Sequence, residues 1–440
     1  MLLEFKVSNY KSFCEEASFQ MTAAPKQKGL DYSLLKTRYK RTILKGLCSS
    51  VIYGPNASGK TNIVGAMDTF RAIVLRGNIR NPEESNTPNS AATMLELIPN
   101  NTLEEPKPVE FYIDFYEDKK RIQYSLKLDL GTFMNVEYER RILNETLMVN
   151  GETVFERGSD ISVNAEALPA KEDLILEPGD TLTRVARTTL NRDELFLTNG
   201  FRLLYSKRIA EFIVDWMTNK LMVIYRADAI TLIRRFADPQ KKSVYIDKTT
   251  DEAASIFGIN SNGIAYVTGE DDAEPKLSSL ITVPHNKRKI AMPAEMFESY
   301  GTTRFVNLFP LVIRALQTGS TLIVDEFDAS IHPMAVMNII NVFHNDDINI
   351  HHAQLIINTH NPIFLNSNLL RRDEIKFVER DAETHFSSLY ALSDFGTSGE
   401  SGVRQHDDYM KNYFIDQYGA ISDIDFSPLF ASLVAEESEE

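Results

Sequence analysis

The chain has 440 residues, 43% hydrophobic, 10% aromatic and 25% charged, which is enough apolar surface for packed cores and excludes wholesale disorder. Lysine plus arginine number 47 and aspartate plus glutamate 62, a net charge of −15, so any nucleic-acid contact must come from a local basic patch rather than a general coat. Two cysteines, Cys14 and Cys48, exclude a disulfide framework and fit a reducing cytoplasm as small buried hydrophobes.

No apolar run approaches the roughly 18–20 residues that span a bilayer. Met1-Leu2-Leu3-Glu4-Phe5-Lys6 lacks the basic and apolar regions of a signal peptide. Residues 2–7 alternate apolar with other side chains and predict a strand, and residues 17–21 predict a second. Between them lies Asn9-Tyr10-Lys11-Ser12-Phe13. Lys36, Arg38, Lys40, Arg41 and Lys45 form a basic run, either a solvated face or a patch for DNA or a partner.

Residues 48–53 predict a short strand that runs into a glycine-rich loop. Beyond it Ile63, Met67, Phe70 and Val74 recur at helical spacing, giving one buried face of a helix from about Lys60. Gly77 and Pro82 end that helix, and residues 80–108 read as loop. Residues 109–115 and 123–128 predict strands, and Val149-Asn150-Gly151-Glu152 a hairpin turn. From about 190 to 260 the pattern turns helical, as at Ile209, Phe212, Ile213 and Trp216. Residues 270–274 are an acidic loop. A helix over about 303–317, stopped by Gly319, feeds the apolar strand Thr321-Leu322-Ile323-Val324-Asp325. Another helix starts near Pro333, a strand covers 354–358, and residues 436–440 form an acidic tail.

Gly54-Pro55-Asn56-Ala57-Ser58-Gly59-Lys60-Thr61 matches the phosphate-loop pattern G-x-x-x-x-G-K-[ST]. Glycines let backbone N–H groups curl around phosphate oxygens, and the helix start adds the positive end of its dipole. Lys60 would neutralise the β- and γ-phosphates of ATP, and the Thr61 hydroxyl would ligate Mg²⁺. The Thr321 strand ends in Asp325 and Glu326. Asp325 would hold Mg²⁺ and Glu326 would act as general base on the attacking water. Ser299-Tyr300-Gly301 precedes the helix that feeds this strand. Such a turn presents a hydroxyl and free N–H groups to an anion, or is an ordinary N-cap formed by Thr302 or Thr303. His360, just after the last buried strand, can sense the γ-phosphate, whereas His332 reads as a structural residue near a dimer seam.

This order of phosphate loop, Ser-x-Gly turn, Asp-Glu strand, Asp328 turn and His resembles that of ABC-type ATPases. Asn9-Tyr10-Lys11-Ser12-Phe13 resembles the N-F-K-S segment of the RecF and structural-maintenance-of-chromosomes (SMC) branch. Glu298-Ser299-Tyr300-Gly301-Thr302, Asp325-Glu326-Phe327-Asp328 with His332-Pro333, Asn358-Thr359-His360-Asn361-Pro362 and Tyr413 with Tyr418-Gly419-Ala420 are similar to a narrower group. It is the bacterial ATPases related to the overcoming-lysogenization-defect (OLD) family, including the phage-defence subunits AriA, RloA and AbiLi. Glu-Ser-Tyr-Gly-Thr stands where transporters carry Leu-Ser-Gly-Gly-Gln, which argues against a transporter. The resemblance matches nothing in residues 160–280.

The resemblance implies an α/β ABC-type head. Its N-terminal part is 1–160, with the phosphate loop at 54–61 and a β-subdomain at about 109–155. A mostly helical lid or arm follows at 161–280, then the C-terminal part of the head at 281–400 and a segment with the acidic tail at 401–440. It adds Lys11 and Ser12 to the nucleotide site. It also implies a homo-oligomer, a head-to-tail dimer or a ring of dimers, in which Ser299 and Gly301 contact nucleotide held by the other subunit's Lys60. The function it implies is slow ATP hydrolysis by a cytoplasmic sensor and scaffold, with weak DNA binding at most and no membrane contact. Its partners would be a separately encoded nuclease or toxin effector and a phage-encoded trigger. OLD proteins carry a C-terminal Toprim nuclease. Only 440 − 360 = 80 residues follow His360, and Asp423-Ile424-Asp425 reads as a solvated turn, so any nuclease is expected on another chain. A RecF-like repair ATPase and a scaffold with negligible turnover are the alternatives.

Overall fold

The computed structural model describes residues 1–25, 27, 29–80, 95–103, 105–132, 138–168, 179–225, 243–245, 248–259, 261–267, 276–397, 402–421, 425–428 and 430–431. At its centre is a six-stranded sheet in the order Leu221–Ile224, Thr321–Val324, Gln354–Asn358, Ser49–Tyr53, Ile375–Arg380, Ser387–Ala391. The first five strands are parallel and the last is antiparallel. A parallel sheet is covered on both faces, so its strands read as unbroken buried runs. Ser49–Tyr53, Thr321–Val324 and Gln354–Asn358 are buried at every position.

The strand period of two then sorts their side chains between two cores. Ile52, Ile323 and Ile356 join the core around helix Lys60–Arg76. Val51, Tyr53, Leu322, Val324, Leu355 and Ile357 join the core on the opposite face, with helices Tyr300–Thr318 and Pro333–His344. The first core extends into a seven-stranded antiparallel sheet ordered Ile161–Val163, Glu152–Arg157, Arg141–Val149, Lys120–Asp129, Val109–Glu117, Leu2–Ser8, Ala17–Gln20. Helix Lys60–Arg76 buries Ile63, Met67, Phe70 and Val74, the predicted face. Asn150 and Gly151 both take positive φ, 56° and 85°, which is the chemistry of a two-residue hairpin turn.

The basic run forms a hairpin of Leu34–Tyr39 and Thr42–Leu47. Leu35 and Leu44 pack inward with Met1, Leu3, Cys48 and Tyr116. Lys36, Arg38, Lys40, Arg41 and Lys45 are all exposed, with Lys36 directly across from Lys45. Cys14 and Cys48 are buried, as expected.

Helix outweighs strand among the described residues of 161–280, but the segment also carries strands. Helices Asp180–Thr189, Lys207–Asp215 and Lys248–Phe257 form. However, Leu221–Ile224 becomes the edge of the central parallel sheet. Ser243–Tyr245, Ile264–Val267, Lys276–Thr282 and Lys289–Pro293 build a separate four-stranded sheet. Apolar runs of three or four residues carry too little period to tell strand from helix, so the pairing partner decides. Nor does the segment stand apart from the head. Trp216 stacks on Phe115 at 3.9 Å. The buried Glu145 carboxylate accepts from the Tyr124 hydroxyl at 2.8 Å and from the N–H groups of Phe196 and Leu197 at 2.6 and 2.8 Å. The acidic stretches 270–274 and 436–440 lie outside the described residues.

Candidate functional site

Three neighbouring parallel strands, Ser49–Tyr53, Thr321–Val324 and Gln354–Asn358, end on the same side of the sheet. The crevice beyond carboxyl ends of parallel strands is where such folds hold ligands. The first strand runs into the phosphate loop. Gly54 and Gly59 have φ of +153° and +113°, which favours glycine. A Cβ on Gly54 would lie 2.2 Å from the Val378 carbonyl oxygen. Asn56 and Ala57 are exposed at the loop tip, Pro55 is half-buried and Ser58 is buried.

Lys60 is 6% exposed, and its Nζ donates to the carbonyls of Gly54 and Pro55, both at 2.7 Å. Burial pushes its pKa down to about 8 against the opposing pull of Asp325 and Glu326. The ammonium thus rests on neutral carbonyls, and a phosphate would offer it stronger, charge-assisted acceptors. The Thr61 hydroxyl donates to Asp325 Oδ1 at 3.2 Å. Asn358, at the end of the next strand, donates through Nδ2 to the same oxygen and accepts the Glu326 N–H on its Oδ1.

Glu326 is exposed and holds φ of +50°. Arg304 Nη2 donates to its carbonyl. His360 stands exposed two residues beyond Asn358. Desolvation, and then the Lys60 charge, lower its pKa, while Glu326, Asp328 and Asp325 oppose the shift. Asp328 accepts from the Thr359 hydroxyl at 2.7 Å, and burial raises its pKa.

The Ser-x-Gly turn is a helix cap, but the cap is Ser299 rather than Thr302 or Thr303. Its Oγ accepts the Thr302 N–H at 3.1 Å, and the helix starts at Tyr300 instead of about 303. Gly301 touches the loop after Glu326: a Cβ there would lie 2.0 Å from the Ser330 carbonyl oxygen. Ser12 sits against the phosphate loop. Its Oγ accepts from Asn62 Nδ2 at 2.8 Å and would meet a Cβ on Gly59 at 2.9 Å. Lys11 pairs with Glu96 and lies 3.2 Å from the Tyr225 hydroxyl. His332 is an exposed helix cap whose Nδ1 accepts the Met334 N–H at 3.2 Å. Tyr413 and Tyr418 pack on Phe377, with Tyr413 also against Tyr53, the residue before Gly54. Asp425 is exposed, while Asp423 and Ile424 lie outside the described residues.

A family profile described as "AAA domain, putative AbiEii toxin, Type IV TA system" matches residues 49–366, from the strand before the phosphate loop to just past His360. The chain belongs to this family. Membership in the AbiEii-type AAA family, together with the site geometry above, bears out the ABC-type ATPase class that the motif order implied. No curated protein matches the chain. Among solved structures it is similar to the SMC head domain from Thermotoga maritima, with 13% identity and a TM-score of 0.36 over 89% of this chain and 98% of that one. It is also similar to an SMC head bound to the C-terminal winged-helix domain of ScpA, with 12% identity and a TM-score of 0.38 over 89% and 97%. Among the described residues no helix is long and apolar enough to cross a membrane.

The AbiEii-type site contains residues that sequence reasoning did not single out. Asn358 and Arg304 touch Asp325 or Glu326 directly. Ser387 Oγ donates to the Ser58 carbonyl at 2.5 Å. Asn358 opens the Asn-Thr-His-Asn-Pro motif without a role of its own there, and Arg304 lies three residues past Gly301, so one lay inside and the other beside a motif already marked. Ser387 has no local signal, because only the fold brings its strand to the loop. Among the described residues no cluster of three or more metal-type side chains occurs. The hydroxyl of Thr61 and the carboxylate of Asp325 are hard oxygen donors, which suit Mg²⁺ carried in with substrate phosphates.

Proposed function

We propose that this AbiEii-type protein binds ATP with Mg²⁺ at the phosphate loop and hydrolyses it slowly. The observation that carries the reading is convergence: the Thr61 hydroxyl meets Asp325 at 3.2 Å, and Glu326 follows Asp325 directly. Lys60 and the loop N–H groups bind the phosphates. Thr61 and Asp325 hold the metal, which offsets phosphate charge. Glu326 takes the proton of the attacking water, and His360 faces the γ-phosphate. Ser12 borders the loop, and the neighbouring Lys11, paired with Glu96, adds a cation to the site. Two copies join head to tail, so that the exposed Ser299, with Gly301, reaches nucleotide held by the other copy.

In the cell the protein acts as a cytoplasmic sensor and scaffold. It restrains a separately encoded nuclease or toxin and releases it when a phage component is detected. The family description names a toxin–antitoxin system, which supports a defence setting. A second reading, a RecF-like repair ATPase, draws on the exposed basic hairpin. The test is paired substitution. Lys60→Ala should abolish nucleotide binding, and Glu326→Gln should retain binding while blocking hydrolysis. Wild-type turnover in purified Glu326→Gln protein refutes the assignment.

A further inference from the structure

The backbone of Glu326 lies in the left-handed region, at φ +50°. For a residue with a Cβ that conformation is strained and persists only where its surroundings impose it. Here the peptide groups on both sides of the residue are held. Asn358 accepts the Glu326 N–H, and Arg304 donates to the Glu326 carbonyl.

We infer that Asn358 is a positioning residue whose side-chain amide locks the Glu326 backbone and the Asp325 carboxylate into one fixed arrangement. The inference rests on the ATPase reading above. Asn358 is 1% exposed, so water does not compete for its hydrogen bonds. It sits one residue beyond the Val324–Ile357 pair, and so beside Asp325. The orientation of its amide is not ambiguous. The Glu326 N–H is only a donor and must meet Oδ1, which turns Nδ2 to the acceptor-only Asp325.

The two bonds run in opposite senses, and among side chains of this length only asparagine supplies both. Aspartate has no donor when ionised, a hydroxyl has one oxygen for two separated partners, and glutamine is a methylene too long. The donors Thr61 and Asn358 both land on Asp325 Oδ1, which among the described residues leaves Oδ2 with lone pairs to spare. Asn358 therefore ties the general base to the metal-holding carboxylate. Without it the Glu326 N–H loses its acceptor, only the carbonyl side stays held by Arg304 and Ala329, and the residue can relax out of the left-handed region with its carboxylate.

The experiment uses the full chain with Asn358→Ala and Asn358→Asp. Hydrogen–deuterium exchange of the peptide containing Glu326 is followed without nucleotide, alongside turnover and binding of a fluorescent ATP analogue. In Asn358→Ala, exchange at Glu326 should quicken roughly tenfold or more and kcat should fall by a similar factor, with KM changing less than about threefold. Asn358→Asp keeps the acceptor for the Glu326 N–H, so exchange there should stay within about threefold of wild type. It sets a second carboxylate against Asp325, so the Mg²⁺ needed for half-maximal turnover should rise roughly tenfold or more. Wild-type exchange and kcat in Asn358→Ala would overturn the inference, as would equally fast exchange in both variants. Should Asn358→Asp fail to fold, exchange in Asn358→Ala decides alone. Absence of turnover in the wild-type protein would instead sink the ATPase reading, and the exchange comparison would still test Asn358.

Discussion

Replacing Gly301 by alanine tests whether the Ser-x-Gly turn and the loop after Glu326 are mechanically joined within one subunit. The added Cβ would lie 2.0 Å from the Ser330 carbonyl oxygen and 3.1 Å from its carbon. A carbon–oxygen contact settles at about 3.3 Å or more, so the helix start and the loop must separate by about 1.3 Å. The loop does not yield easily, because Ile331 is buried and Asp328 is bonded to Thr359. Overpacking of this kind costs roughly 1–3 kcal/mol, so the melting temperature should fall by a few degrees. The displaced loop begins next to Glu326, and a misplacement near 1 Å in a catalytic constellation costs about a hundredfold in rate. Lys60 and Thr61 lie on other elements, so ATP affinity of the single subunit should stay within about threefold of wild type. Thermal melts, phosphate release and titration with a fluorescent nucleotide read the three effects separately. A variant with wild-type melting and turnover would show that the approach to Ser330 is not what requires glycine at this position.

Three further outcomes are expected. The Lys60 pKa falls from 10.5 to about 8 through burial, so between those values the unfolded chain holds a proton that the native chain has released. The stability contribution of this group therefore rises with pH across that window. Phosphate binding needs the cation, so ATP affinity should drop above about pH 8 in the wild type and not in Lys60→Arg; an unchanged affinity to pH 9.5 in both would refute this. Glu145→Ala leaves the Tyr124 hydroxyl and the Phe196 and Leu197 N–H groups without this acceptor at a site with 0% exposure, and takes the carboxylate from Arg157, which keeps the Asn191 and Glu194 carbonyls. Urea unfolding should show a loss of about 3–5 kcal/mol, and a loss below about 1 kcal/mol would contradict that account. Duplex DNA at about 150 mM salt should leave the ATPase rate flat; a strong rise lost on neutralising Lys40 and Arg41 would favour the repair reading instead.

The sequence by itself determined the elements whose signals are local. The phosphate loop, the buried strand before Asp325, the helix face of Ile63, Met67, Phe70 and Val74, and the Asn150-Gly151 turn follow from glycine geometry and from periods of two and 3.6. The order of motifs likewise pointed to Asp325, which the structure brings to Thr61 of the phosphate loop. Tertiary structure decided what depends on partners far away in the chain. Leu221–Ile224 is a strand because Thr321–Val324 offers it a parallel edge. Ser387 reaches the phosphate loop because its strand returns antiparallel beside Ile375–Arg380. The left-handed backbone of Glu326 belongs to a local turn, in which the Ala329 N–H reaches its carbonyl at 3.1 Å. It is also held by Asn358, 32 residues away, and by Arg304, 22 residues away, which meet it only after the sheet and the helix have packed.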